Sequence, residues 1–246
     1  MRSASHNVDQ VTNEPSPLIS VGGDRDGTVI ELDASQWRNY DHDSSAMTLA
    51  LQRVLDKLTG ALSVWVDHPD ESTNSGLARL GLQFQRDLYR MQRSLPMDQT
   101  TDIETRSFVA GRDEQAWVEV NNRAFAWHRE QSGWTVEMVI KREAEDWFDP
   151  DGFRIYEKDG RLAAYCWTKV HPDEDPPAGE VYVIAVDPDF HGQGLGRALT
   201  LAGYQHLAAQ GLTSGILYVD ADNTTAVTLY KDLGLVVDVT RRLYAV

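Results

Sequence analysis

Between Gly179 and Arg197 the chain reads GEVYVIAVDPDFHGQGLGR: an apolar run, a Val-Asp-Pro stop, and a glycine-rich loop that opens a helix. Pro188 cannot donate to a sheet ladder, so the strand Val181–Val186 ends before it. Gly192, Gly194 and Gly196 let the backbone turn with its amide N–H groups bare. From Leu195 the pattern is helical, so the first amides and the positive end of the helix dipole converge on one point, and Arg197 adds a full charge in the first turn. A loop of this build is a nest for phosphate.

Two familiar phosphate loops are excluded by spelling. The stretch has no Gly-Lys-Ser/Thr, and its G-x-G-x-G is not the G-x-G-x-x-G of dinucleotide folds. The sequence His191-Gly192-Gln193-Gly194-Leu195-Gly196-Arg197, placed after a strand and Val-Asp-Pro, instead resembles the pyrophosphate loop Q/R-x-x-G-x-G/A of the GNAT acyl-CoA N-acyltransferases. His191 stands where that family usually has Gln or Arg, a mild departure because backbone amides are the main ligands there.

Composition narrows the partners. The 246 residues are 41% hydrophobic, enough for one large or two small domains, and the net charge of −15 comes with no basic tract. Neither nucleic acid nor an anionic membrane is an expected partner, whereas cationic substrates are favoured. The single Cys166, inside the apolar run Leu162–Trp167, reads as core packing, and no His or Cys pattern suggests a metal. No apolar run reaches the roughly 18 residues of a membrane span, and the N-terminus has no apolar signal core, so the cytoplasm is the default location. A monomer is the expected state, although the sequence does not give the oligomeric state.

Met1–Pro17 reads as a disordered tail. Residues 18–95 then offer strand Thr28–Leu32, helix Ser44–Leu58, strand Leu62–Val66, helix Asn74–Leu80 and strand Phe84–Met91, followed by the linker Arg93–Asp102. In 103–246 the order is strand Ile103–Val109, helix Asp113–Ala126, a helix from the N-cap Thr135 to Trp147, and strands Phe153–Tyr156 and Leu162–Val170 around an Asp159-Gly160 turn. Strand Gly179–Val186, helix Leu195–Gln210, strand Gly215–Val219, helix Asn223–Leu233 and strand Leu235–Leu243 complete it.

That order is the one expected of a GNAT domain, an α/β (α+β) fold with a mixed central sheet flanked by helices. The first half looks like the rear part of a second copy, since Leu77–Leu82 echoes Leu229–Leu235. Where that copy would cradle phosphate it has Asp33-Ala34-Ser35-Gln36-Trp37-Arg38-Asn39-Tyr40 with no glycine, so no cofactor site is expected there. Its missing opening elements mean either degeneration or a truncated gene start.

Tandem GNAT halves with only the second catalytic are the plan of the mycothiol synthases of actinobacteria, a family this sequence resembles closely. The matching segments are Val120–Ala126, Glu130–Thr135, Trp147-Phe148-Asp149-Pro150-Asp151-Gly152, Trp167-Thr168-Lys169-Val170-His171-Pro172-Asp173, Gly179–Val183 and Leu217–Val219 with Asp222-Asn223. The resemblance implies transfer of acetyl from acetyl-CoA, without a metal, to the cysteinyl amine of a cysteine–glucosamine–inositol conjugate. It also implies that Glu130, Lys169, Glu180 and Tyr218 hold that small molecule, and that Asn223, Thr224, Thr225, Ala226, Val227 and Thr228 line the cofactor. A different small-amine or protein N-acetyltransferase, or a non-catalytic acyl-CoA-binding domain, would keep the same loop.

Amide formation requires an ammonium to lose a proton, a thioester carbonyl to be polarised and a thiolate to be protonated as it leaves. Glu180, at the start of the strand that feeds the loop, is assigned general base; the bland alternative is a solvated strand-end carboxylate. An amide among Ile184, Ala185 and Val186 is the polarising donor if the strand end splays from its neighbour. Tyr230, seven residues after Asn223, is assigned general acid because GNAT enzymes commonly hold a phenol there; packing alone would also explain it. Trp117, Trp134, Trp147 and Trp167 read as packing anchors.

Overall fold

The Asp-Gly turn and the Val-Asp-Pro stop fix the register of the strands that matter. In a computed structural model describing residues 19–24, 27–35, 44–58, 60, 62–128 and 131–246, Asp159 and Gly160 take φ of +53° and +74°, as a tight hairpin turn requires. They join β6 (Phe153–Lys158) to β7 (Arg161–His171), and β7 runs antiparallel to β8 (Ala178–Val186), which Asp187 and Pro188 terminate.

The chain falls into two compact units. The first takes the described residues up to Met91 together with Val219–Thr228 and Val237–Val246; the second takes Gln92–Tyr218 and Leu229–Val236. In the first unit the strands β1 (Ile19–Asp24), β2 (Gly27–Asp33), β3 (Leu62–Asp67), β10 (Val236–Ala245) and β4 (Gln83–Ser94) lie in that order. Helices α1 (Ser44–Leu55) and α2 (Glu71–Arg79) pack on them through Met47, Leu51 and Leu77, all buried with Val64 and Val66. Asp70 caps α2, accepting from Thr73 N at 2.7 Å.

The second unit orders its strands β9 (Ser214–Asp220), β8, β7, β6 and β5 (Arg106–Ser107). One face carries α3 (Glu114–Ala124) and α4 (Val136–Glu143), held by an aromatic core: Phe153 stacks on Trp167 at 4.4 Å, and Trp117 meets Trp134 edge-on at 5.2 Å. The other face carries α5 (Leu195–Ala209), which comes so close that a Cβ on Gly203 would lie 2.6 Å from Cys166 Sγ. Cys166 is fully buried and its thiol is pushed up to about 12 by desolvation, consistent with the packing role read from the sequence. The last helix, α6 (Thr224–Asp232), stops at Gly234 with φ +82°.

Three sequence expectations are corrected. β1 went unrecognised because Ile19–Asp24 includes two glycines and only two branched apolar residues, and its pairing with β2 supplies what propensity lacks. The strand Ile103–Val109 contracts to Arg106–Ser107, since Phe108 N turns to the carbonyls of Phe153 and Pro150. The helix expected to reach Trp147 ends at Glu143, and the aromatic residues after it leave the helix to pack against β7. The tail Met1–Pro17 and the positions Gln36–Tyr40 lie outside the described residues.

Candidate active site

Side chains alternate along a strand, so Trp167, Lys169 and His171 of β7 share one face. Lys169 pairs with Glu180 and His171 with Ala178 across to β8, which makes His171 and Glu180 diagonal neighbours on that face. Their contact is direct: His171 Nε2 lies 2.6 Å from Glu180 Oε2, with the Glu180 side chain 7% exposed and that of His171 21%. Next along β8 the register shifts. Trp167 pairs with Val183 and Thr168 with Val181, leaving Tyr182 as the extra residue of a bulge.

Around Glu180 stands an aromatic wall. The Lys169 ammonium sits 4.7 Å from the Trp147 ring centre and 5.6 Å from that of Tyr182, and the two rings meet edge-on at 5.2 Å. Desolvation holds the Lys169 pKa below its ordinary value against the pull of the Glu180 carboxylate, while burial pushes the Tyr182 phenol up to about 12. Trp147, read as a packing anchor, thus forms part of the wall.

On its other edge β8 pairs with β9 only from Ala178 to Val181, opposite Ser214 to Leu217. Among the described residues the ladder stops there, so the strands diverge over Tyr182–Val186. Asp187 N donates back to Ala163 of β7, and by alternation the N–H groups of Ile184 and Val186 face the open edge while that of Ala185 faces β7. The expected unpaired donor thus narrows to Ile184 or Val186.

The loop follows directly. Gly192 and Gly194 both take φ +76°, and Gly194 is the N-cap of α5, where no side chain satisfies the first amides. Gly196, by contrast, is helical, and a Cβ there would make ordinary contact with Leu229 at 3.6 Å. His191 turns inward: its Nε2 donates to the Val186 carbonyl at 3.0 Å and clamps the loop to the strand end. Gln193 accepts from Lys158, and Arg197 donates to Gln99 at 3.0 Å.

Cations that sequence reading passed over gather at this loop. Arg123 reaches Asp187 and Asp189, both at 3.1 Å, and Arg161 reaches Asp189 at 2.7 Å while lying over Phe190 at 4.7 Å. Asp187 and Asp189 offset the charge of these arginines, so together with the Lys158–Gln193 contact the ion pairs brace the start of the loop. The cations come from three separate elements: Lys158 and Arg161 flank the Asp-Gly turn, and Arg123 falls within the matching segment Val120–Ala126, but neither feature ties them to the loop.

Tyr230 in α6 is 7% exposed, and burial holds its phenol above the ordinary range. It makes no hydrogen bond to Glu180 among the described residues. Tyr218 lies half-buried on β9. Asn223 accepts from Ala226 N at 3.2 Å to open α6, whose first turns hold Thr224, Thr225, Ala226, Val227 and Thr228. Glu130 falls outside the described residues. No group of three or more metal-ligating side chains occurs among those described, and no helix among them is long and apolar enough to cross a membrane.

Several of the specific segments have structural reasons. Asn121 and Asn122 donate to the carbonyls of Gln131 and Trp134, both at 2.8 Å, tying α3 to the loop that follows it. Asp149 accepts from His206 of α5 and from Gln210 just after that helix, at 2.8 and 2.9 Å, and a Cβ on Gly152 would collide with Thr168 Oγ1 at 2.3 Å.

The acetyltransferase (GNAT) family model matches residues 115–235. A mycothiol acetyltransferase of Thermomonospora curvata is 48% identical over 193 residues, covering 75% of this chain and 64% of the relative, so the chain spans less than two thirds of that protein. One from Kocuria rhizophila is 43% identical over 219 residues, covering 83% of this chain and 71% of the relative. Among solved structures, a GCN5-related N-acetyltransferase from Sphaerobacter thermophilus superposes with a TM-score of 0.69 at 20% identity, over 93% of this chain and 75% of its own, a likeness of fold.

Proposed function

This chain belongs to the mycothiol acetyltransferase family of GNAT proteins, and from that premise we propose that residues 103–246 transfer acetyl from acetyl-CoA to the cysteinyl amine of a cysteine–glucosamine–inositol conjugate. Residues 18–95 are on this reading a degenerate copy, and the chain acts as a cytoplasmic monomer.

The observation that carries the proposal is the near-buried carboxylate of Glu180, on the same strand whose open edge leads into the glycine loop. That edge and the uncapped N-terminus of α5 fit acetyl-CoA: the backbone amides from His191 to Arg197 suit the pyrophosphate, and the N–H of Ile184 or Val186 suits the thioester oxygen or the pantetheine arm. Asn223–Thr228 line the rest of the cofactor.

Glu180 takes the proton from the acceptor ammonium, directly or through one water, and frees the nitrogen lone pair for attack. Lys169, Tyr218 and Glu130 hold the sugar and cysteine groups, Lys169 as a donor to hydroxyls. Tyr230 stands by the leaving sulfur. Burial keeps its phenol protonated, and complete transfer to a thiolate whose thiol has a pKa near 8.5 would be uphill by at least about 2 kcal/mol. Its contribution is therefore a hydrogen bond that stabilises the thiolate more than a finished proton transfer.

The test mixes the protein with acetyl-CoA and the cysteinyl glucosaminyl-inositol and reads product mass together with free thiol. The expected product carries one acetyl group on nitrogen and keeps its thiol titratable. Acetylation of peptides alone would move the chain to a protein acetyltransferase, and binding without turnover over any amine would make it an acyl-CoA-binding domain.

A further inference from the structure

The Glu180 side chain has one hydrogen-bond partner among the described residues, and it is an imidazole. Lys169 lies directly across the strands, yet its ammonium is drawn over Trp147 and Tyr182 and forms no ion pair with the carboxylate. What holds Glu180 is His171, through Nε2 and Oε2 at 2.6 Å, and the other carboxylate oxygen accepts no hydrogen bond from the described residues. His171 is itself pinned. It is the last residue of β7, Pro172 after it disfavours any helical backbone, and its carbonyl accepts from Glu174 N to close the turn.

A glutamate can act as a base only if one oxygen stays aimed at the proton it removes, and its three side-chain torsions must be restrained for that. We propose that His171 is the positioning residue for Glu180: its Nε2–H donates to Oε2 and turns Oε1 toward the acceptor amine. The proposal rests on the reading of Glu180 as the base. One ammonium proton moves to Oε1, the nitrogen pair forms the new C–N bond, the C–S bond breaks with its electron pair passing to sulfur, the nitrogen gives up its second proton to the departing thiolate or to solvent, and Glu180 later returns its own proton to solvent. His171 keeps its proton throughout. A lysine ammonium in that place would compete with the substrate ammonium, whereas an imidazole N–H aims the carboxylate through a single directed hydrogen bond.

Two variants and one spectrum decide the matter. His171→Leu is expected to lower kcat on the cysteinyl amine about 10- to 100-fold with the KM for acetyl-CoA unchanged, the scale of a misaimed catalytic group. His171→Gln, which keeps an N–H donor at similar reach, is expected to recover most of that loss. In ¹⁵N-histidine-labelled protein the His171 Nε2–H proton should appear as a downfield resonance that moves upfield in Glu180→Gln. Wild-type kcat in His171→Leu, equal losses in the Leu and Gln variants, or an Nε2 signal indifferent to Glu180→Gln would each overturn the proposal. A wild-type protein that acetylates no cysteinyl amine would overturn the functional reading instead, and the imidazole signal would still decide whether His171 holds Glu180.

Discussion

Gly194 sits at φ +76° in the left-handed region, which a β-branched side chain tolerates poorly. Gly194→Val should therefore distort the loop and raise the acetyl-CoA dissociation constant about 10-fold or more, as a strain of roughly 1–2 kcal/mol in the L-residue conformation implies. Isothermal titration reads it, and an unchanged constant would remove the loop from the site. The glycines were legible because their spacing carries the constraint directly. His171 was not: a histidine near a strand end reads like any surface imidazole, and only the β7–β8 register, with its partner on the diagonal, brings it to Glu180. Arg123, Lys158 and Arg161 were missed for the same reason, because charge alone does not say which loop a side chain serves.

Helices α3 and α4 are joined by a contact that no motif announces, two carboxyl side chains, Glu114 and Glu143, facing each other away from solvent. Glu143 Oε1 is buried with no hydrogen bond of its own, and burial together with the neighbouring Glu114 carboxyl pushes the Glu143 pKa up to about 7. A carboxyl with a raised folded-state pKa keeps its proton where the unfolded chain has lost it. Its contribution is therefore complete below the ordinary glutamate range and is lost as pH rises toward 7. Thermal unfolding should show stability falling over that interval, and Glu143→Gln should flatten the fall and raise Tm at pH 8; a lower Tm there would contradict the pairing. Element by element, helices with strong periodicity such as Leu195–Ala209 were legible almost to their ends, and so was the hairpin around Asp159-Gly160. Short strands were not. Arg106–Ser107 and Ile19–Asp24 are defined by what pairs with them, which local sequence does not encode.

At the scale of the molecule, the last strand does what its position in the chain does not suggest: β10 pairs antiparallel with β3, and Tyr244 is buried in the core of the first unit. Arg241, 5% exposed, fixes that pairing between Asp67 at 2.6 Å and Glu31 at 2.9 Å. A sequence read in order assigns Leu235–Leu243 to the half it follows, because long-range pairing leaves no local trace. The first unit still has no glycine loop in its described part. Asp33 there accepts from Ser35 N and Oγ at 2.8 and 2.6 Å, an acidic turn that repels phosphate. Calorimetry should therefore give one acetyl-CoA per chain, and two sites would contradict the division of labour. Turnover of Glu180→Gln on the cysteinyl amine, followed from neutral to alkaline pH, should be depressed about 100-fold or more at neutrality with acetyl-CoA affinity nearly intact. The deficit should shrink as solvent deprotonates an amine whose ammonium pKa is near or below about 8, whereas Tyr230→Phe should slow turnover without that recovery. If Glu180→Gln instead weakens binding of the amine and leaves saturated turnover unchanged at every pH, Glu180 anchors the ammonium and is not the base.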